Sequence, residues 1–193
     1  MHSTFQAKAE LRKIIKQKLS AISAGQFSAA GSYAAQQLHR IPCWGSFKSI
    51  LAFSSMKDEM ETQPIIETIE AAGKTVFIPQ INGEDLVFCR IEKGGSNSDS
   101  GKPGSSRRAL TLLPRDFPVL VLTPGLAFDR NLNRLGRGRS YYDRFFAGLD
   151  AAQRDFTAAG LCMDCQLVEE VPADYWDKKV DMLITESAII FPS

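Results

Sequence analysis

Histidine is nearly missing from this chain of 193 residues: His2 and His39 are the only two, and both lie early. The glycine-rich stretch described below thus contains no Ser-His-Asp set and no histidine base of its own. Cysteine is scarce too. Cys43, Cys89, Cys162 and Cys165 fall at unrelated spacings, so no disulfide framework is indicated, and the lone pair Cys162 and Cys165 lacks the second pair or the histidines a zinc site requires. Charge of one sign is not in excess, with 23 basic against 22 acidic residues, which argues against a dedicated nucleic-acid binder. No apolar run approaches the roughly 18 residues needed to span a bilayer, so no membrane insertion is expected. No basic-then-apolar leader opens the chain, and a cytoplasmic location is the expectation. Neither a G-x-x-x-x-G-K-[ST] loop nor a G-x-G-x-x-G turn occurs, which removes the two common nucleotide fingerprints.

What remains is an ordinary globular composition, 44% hydrophobic and 23% charged. A chain of this length buries about 70% of its unfolded surface and needs neither disulfides nor a structural metal for its core. Phe5, Ala9, Leu11, Ile14, Ile15 and Leu19 recur at helical spacing after the capping candidates Ser3 and Thr4, predicting a helix that ends near Ser20. Its polar face is basic, with Lys8, Arg12, Lys13, Lys16 and Lys18 against Glu10. A second helix is expected from Ser28 to Arg40. From Ser49 the pattern changes to an apolar strand, a helix opened by Thr62 and Pro64 and stopped by Gly73, and a strand from Thr75 to Pro79. Strand, helix, strand at this spacing is a βαβ unit. Strands are also expected at Leu86–Ile91, Val119–Leu122, Phe156–Leu161, Val180–Thr185 and Ala188–Phe191, a helix at Ser140–Leu149, and a polar loop, a candidate lid, at Lys93–Ser106. The reading is a single α/β domain over residues 1–193, a mostly parallel sheet with helices on both faces and an N-terminal helical extension.

The informative stretch is Thr123 to Arg144, which leaves a buried strand, crosses a polar loop and enters a helix. In open α/β sheets ligands bind at such strand ends. Between Arg107 and Arg144 there are eight arginines, three aspartates and neither lysine nor glutamate. Arginine suits planar contact with phosphate oxygens, and glycine lets backbone amides approach an anion. Gly136 and Gly138 around Arg137, with Arg139 at a helix start, thus form a candidate phosphate cradle, or else an exposed arginine-rich turn. Asp129 and Asp143 bracket the loop, where a carboxylate beside a polyphosphate suits magnesium; helix capping or arginine pairing is the alternative. Tyr141 and Tyr142 offer rings for stacking or for the core, and only one of them is expected to face a pocket.

Pro124, Gly125, Phe128 and Asp129, followed by Arg134, Leu135, Gly136, Gly138, Tyr141, Tyr142 and Asp143, resemble the signature of the 5-formyltetrahydrofolate cyclo-ligase (methenyltetrahydrofolate synthetase) family. The resemblance extends to Lys8 and Arg12, to Asp58, Glu59, Glu61 and Thr62, and to Val180 and Asp181. Ser140 stands where the family has its third loop glycine, and Gly101 to Gly104 stand where it has a Pro-x-Pro or Glu-Pro element. The resemblance implies an ATP- and Mg²⁺-dependent closure of 5-formyltetrahydrofolate to 5,10-methenyltetrahydrofolate, with ADP and phosphate released through a phosphorylated formyl intermediate. It implies that Lys8, Arg12 and the run Arg134, Leu135, Gly136, Arg137, Gly138, Arg139, Ser140, Tyr141 and Tyr142 face ATP, and that Arg137, Arg139 and Tyr141 act in catalysis. It further implies that Ser54, Glu59, Arg137, Gly138 and Tyr141 contact the reduced folate, that Asp143 and Asp181 serve the metal, and that Asp129 ranks below Asp143 for that role. The expected partners are ATP and a reduced folate, with no nucleic acid and no membrane, and a monomer is expected. The chemistry is one of positioning and charge neutralisation, which arginines, glycine amides and aspartates can supply. Two other readings compete: a sugar-phosphate or acyl-transfer enzyme using the loop for a substrate phosphate, and an RNA-binding module. Against the latter, residues 145 to 193 carry nine acids and three basic residues.

Overall fold

The computed structural model describes residues 3–90 and 112–192. Two helices lead, α1 (Thr4–Ser20) and α2 (Ala24–Gln37), each opened by a capping box, Ser3 with Gln6 and Ser23 with Gln26. The cap at Ser23 explains why α2 begins before the expected Ser28. Strand β1 (Ser49–Leu51) is followed by α3 (Gln63–Ala71), β2 (Thr75–Asn82) and β3 (Asp85–Arg90). Then come β4 (Val119–Pro124), the two-residue strands β5 (Ala127–Phe128) and β6 (Arg134–Leu135), α4 (Tyr141–Ala151), β7 (Phe156–Leu161), β8 (Met182–Ile184) and β9 (Ile189–Ile190). The expected loop at 93–106 lies outside the described residues.

Seven strands form one sheet in the order β3-β2-β1-β4-β7-β8-β9. The pairs β2-β1, β1-β4, β4-β7 and β7-β8 are parallel, and the two edges, β2-β3 and β8-β9, are antiparallel. Gly83, at φ +62°, turns the β2-β3 hairpin, so β2 runs on to Asn82 rather than stopping near Pro79. Alternation along the central strand divides the core in two. Leu120 and Leu122 join Ile50 and Ala52 beneath α1, α2 and α3, through Ile15, Leu19, Ala34, Ile65 and Ile69. Val119 and Val121 join Leu51 and Phe77 beneath α4, through Tyr142, Phe146 and Leu149. Helices thus cover both faces, and the N-terminal pair is part of one cover rather than an appendage.

The order of strands has one consequence for ligands. The chain leaves β1 toward β2 on one side and leaves β4 toward β7 on the other, so the segments following these adjacent parallel strands diverge and open a crevice between them.

Candidate active site

The segment after β1 forms a closed loop. Ser55 N donates to Thr62 Oγ1 at 3.1 Å, Thr62 N donates to Ser55 Oγ at 3.2 Å, and Thr62 Oγ1 donates to the Phe53 carbonyl at 2.7 Å. Met60, buried in the core, pins the loop from below. Helix α2 presses on it so closely that a Cβ on Gly31 would lie 2.0 Å from the Glu61 carbonyl oxygen, contact only glycine permits. Asp58 and Glu59 are held at the outer turn, where the Met56 amide donates to Glu59 Oε2 at 2.9 Å. Ser54, exposed, stands at the base of the same loop.

The segment after β4 is stitched by β5 and β6, a pairing too short to read in sequence. Asp129 is fully buried inside it and accepts from the Asn133 amide at 3.0 Å, from Asn133 Nδ2 at 2.9 Å and from the Val171 amide at 2.9 Å. Three of its acceptor positions go to holding the loop. Gly138 takes φ +100° and leaves room for the Arg12 guanidinium, whose Cζ would be 3.6 Å from a Cβ there. Arg12 Nε also donates to the Gly136 carbonyl at 2.9 Å, so the basic face of α1 does wall the glycine loop. Ser140 closes the loop in the left-handed region, φ +51°, and its side chain does not cap α4, leaving first-turn amides of that helix to other acceptors. Arg139 is exposed beside them, its carbonyl accepting from Arg144.

Across the crevice the two loops meet. Arg137 Nη1 and Nη2 donate to the two Asp58 oxygens at 3.1 and 2.8 Å, and its Nε and Nη2 donate to Glu59 Oε1 at 3.2 and 3.0 Å. Burial alone would raise the Asp58 carboxyl, but hydrogen bonds and charge from Arg137 hold it below the usual range.

Other expected site residues are differently placed. Lys8 is nearly buried, with Nζ donating to Asp174 Oδ2 at 2.6 Å and to Asp177 Oδ2 at 2.5 Å, which docks α1 onto the segment before β8. Burial would lower its ammonium; the two carboxylates outweigh that and hold its pKa above the lysine norm. Arg134 turns inward, Nη2 donating to Asp143 Oδ1 at 2.8 Å and Nη1 to the Pro124 carbonyl at 3.3 Å. Its Nε is buried without a partner among the described residues. Leu135 belongs to the core, so only its backbone can serve a ligand. Of the two tyrosines, Tyr142 is buried against Phe146, and burial pushes its phenol well up, whereas Tyr141 is half-exposed beneath the Arg144 guanidinium. Asp143 stands in the first turn of α4 at the loop, and the Lys178 amide also points to its Oδ1, at 3.5 Å.

The structure does not bring Asp181 to this loop. Its Oδ2 accepts from the Ala158 amide at 2.7 Å near the start of β7, and it lines a depression with Asp150, Arg154, Asp155, Lys178 and Lys179 against the far half of α4. No group of three potential metal ligands occurs among the described residues. Asp143 alone of the expected pair lies beside the glycine loop, in the first turn of α4. Cys162 is buried and its thiol is pushed well up by burial and by Glu186 and Asp164, which disfavours the thiolate that redox use of the CxxC pair needs. Sequence reasoning missed Asp174 and Asp177 as the partners of Lys8, and gave Asp58 no role; both pairings depend on chain closure that no local pattern reports.

Comparison with known proteins bears on all of this. The model of the 5-formyltetrahydrofolate cyclo-ligase family matches residues 4–186. A 5-formyltetrahydrofolate cyclo-ligase of Mus musculus is 34% identical over 94% of this chain and 95% of its own length, and one of Escherichia coli (strain K12) is 28% identical over 91% and 98%. The NMR structure of a 5,10-methenyltetrahydrofolate synthetase from Aquifex aeolicus superposes with a TM-score of 0.73 at 24% identity, covering 95% of this chain and 92% of that one.

Proposed function

The chain belongs to the 5-formyltetrahydrofolate cyclo-ligase family of enzymes, and on that premise we propose that it closes 5-formyltetrahydrofolate to 5,10-methenyltetrahydrofolate at the expense of ATP, in the crevice between the loops that follow β1 and β4. The formyl oxygen attacks the terminal phosphorus of ATP and ADP departs. The neighbouring folate nitrogen then attacks the activated formyl carbon, and the oxygen leaves with the phosphate. One-carbon metabolism is the setting of this chemistry.

The observation that carries the reading is the bridge from Arg137 to Asp58 and Glu59, which joins the loop expected to hold phosphate to the loop expected to hold folate. Arg137 and Arg139 supply positive charge to the transferring phosphoryl, and the backbone of Gly136 and Gly138 with the open first turn of α4 supplies amides. Arg12 fixes the glycine loop through the Gly136 carbonyl, and Lys8 acts one step further back, fixing α1. Glu59 and Ser54 lie on the folate side, and Tyr141 is the loop ring available to a substrate. Mg²⁺, held by Asp143 with the phosphates, would offset negative charge on the oxygens in transfer. Little covalent work is asked of the protein, which agrees with the shortage of histidine.

The test is to mix the purified chain with 5-formyltetrahydrofolate and Mg²⁺, with and without ATP, and follow the near-ultraviolet absorbance of the methenyl product. Product only with ATP is expected. Product without ATP, or none from folded protein, would reject the proposal.

A further inference from the structure

Arg137 faces a conflict of duties. Its guanidinium makes four hydrogen bonds to Asp58 and Glu59, so one positive charge is set against two negative ones and none is left over for an anion. Both Asp58 oxygens are used in a two-pronged grip, the geometry in which arginine is held most firmly. Glu59 is in turn occupied: Oε1 takes Arg137 twice and Oε2 takes the Met56 amide. One N–H of Arg137 is left over, so a phosphate can gain its two-pronged grip only by drawing it from these carboxylates, and a folate can take the Glu59 Oε1 positions only by displacing Arg137.

We propose that Asp58 is a positioning residue that parks Arg137 on Glu59, so that nucleotide and folate, each of which must break the same contact, bind cooperatively through it. This deepens the function proposed above and rests on it. Whichever substrate arrives first breaks the Arg137–Glu59 contact, and the second no longer has that contact to break. Linkage requires the effect to be reciprocal. Removing Asp58 leaves Arg137 on Glu59 alone, a looser arrangement, so the nucleotide takes it more easily and less remains to be shared.

The experiment is calorimetric titration of the full chain with 5-formyltetrahydrofolate, alone and with a saturating non-hydrolysable ATP analogue plus Mg²⁺, and the reverse titration, in the parent, Asp58→Asn and Asp58→Glu. In the parent each ligand is expected to tighten the other by about fivefold or more. In Asp58→Asn the analogue alone should bind more tightly than to the parent and the mutual gain should fall below about twofold; Asp58→Glu should restore it. Asp58 is partly exposed at a turn, so both variants are expected to fold. Independent binding in the parent, or a full mutual gain in Asp58→Asn, overturns the coupling while leaving the proposed reaction standing. A parent that binds neither ligand overturns both, and the absorbance assay then fails with it.

Discussion

At Ser140 the backbone lies at φ +51° and ψ 23°, a conformation that costs a side chain with a Cβ about 1–2 kcal/mol. Glycine is the usual tenant of such a position, and the family signature has one there. Since Ser140 does not repay the strain by capping α4, Ser140→Gly is expected to stabilise the chain, by about 1 kcal/mol or less once the looser unfolded state of glycine is counted. A urea titration reads it, and a lower midpoint in the variant would contradict the account. The same residue tests how much a sequence can say. That a glycine had been replaced was legible at once; that the position is left-handed was not, because φ depends on how the loop meets the helix. Asp129 is a similar case. Its place in the motif marked it as an acceptor for the loop or for a metal, and only the distant Val171 amide, brought in by the fold, decides between them.

Among the elements, α1 is held to the rest of the molecule by charge as well as by Ile15 and Leu19. Lys8 bridges Asp174 and Asp177, and its folded pKa lies above its ordinary value of 10.5. The stability it adds is therefore complete below the unfolded value and is lost as pH rises through the folded one. Lys8→Met should cost stability at neutral pH, and the gap between parent and variant should narrow above about pH 10.5, as read by denaturant titrations over that range. A gap that stays constant to strongly alkaline pH would mean the pair adds nothing. The basic face of α1 was plain from spacing, yet its two chief cations serve different ends, Lys8 docking the helix and Arg12 walling the loop. The interior strands and α3 were equally plain, because runs such as Val119 to Leu122 and the stop at Gly73 are local signals. The antiparallel edges were not placed in the sheet, because pairing direction is settled by turns and neighbours; Asn82 with Gly83 was the one available signal for β3.

For the whole molecule, the candidate site draws on loops from both halves of the sheet, and the two cores, one on each face, both run beneath both halves. A ligand that bridges the crevice should accordingly stabilise the entire chain rather than one loop. With the non-hydrolysable nucleotide and Mg²⁺ at about 100 times their dissociation constant, the gain is about 2.7 kcal/mol, which for this size raises the melting temperature by about 5–10 °C. Differential scanning calorimetry checks it; an unchanged transition at saturation would place the nucleotide elsewhere. That the glycine-rich loop stands at a strand end was legible; that it faces the loop after β1 across a crevice follows from the strand order, which was not. Nor was the partition of charge within the crevice. Arginine-rich composition pointed to a free positive surface, whereas the fold spends Arg134 on Asp143 and Arg137 on Asp58 and Glu59.

Along the central strand, Val119 and Val121 touch one core and Leu120 and Leu122 touch the other. Descendants of this sequence can trade one apolar side chain for another along it, but the gain or loss of a single residue would turn each side chain to the opposite cover and carry the glycine loop with it. Lineages should therefore differ in the length of the hairpin at Gly83 long before they differ in the length of this strand.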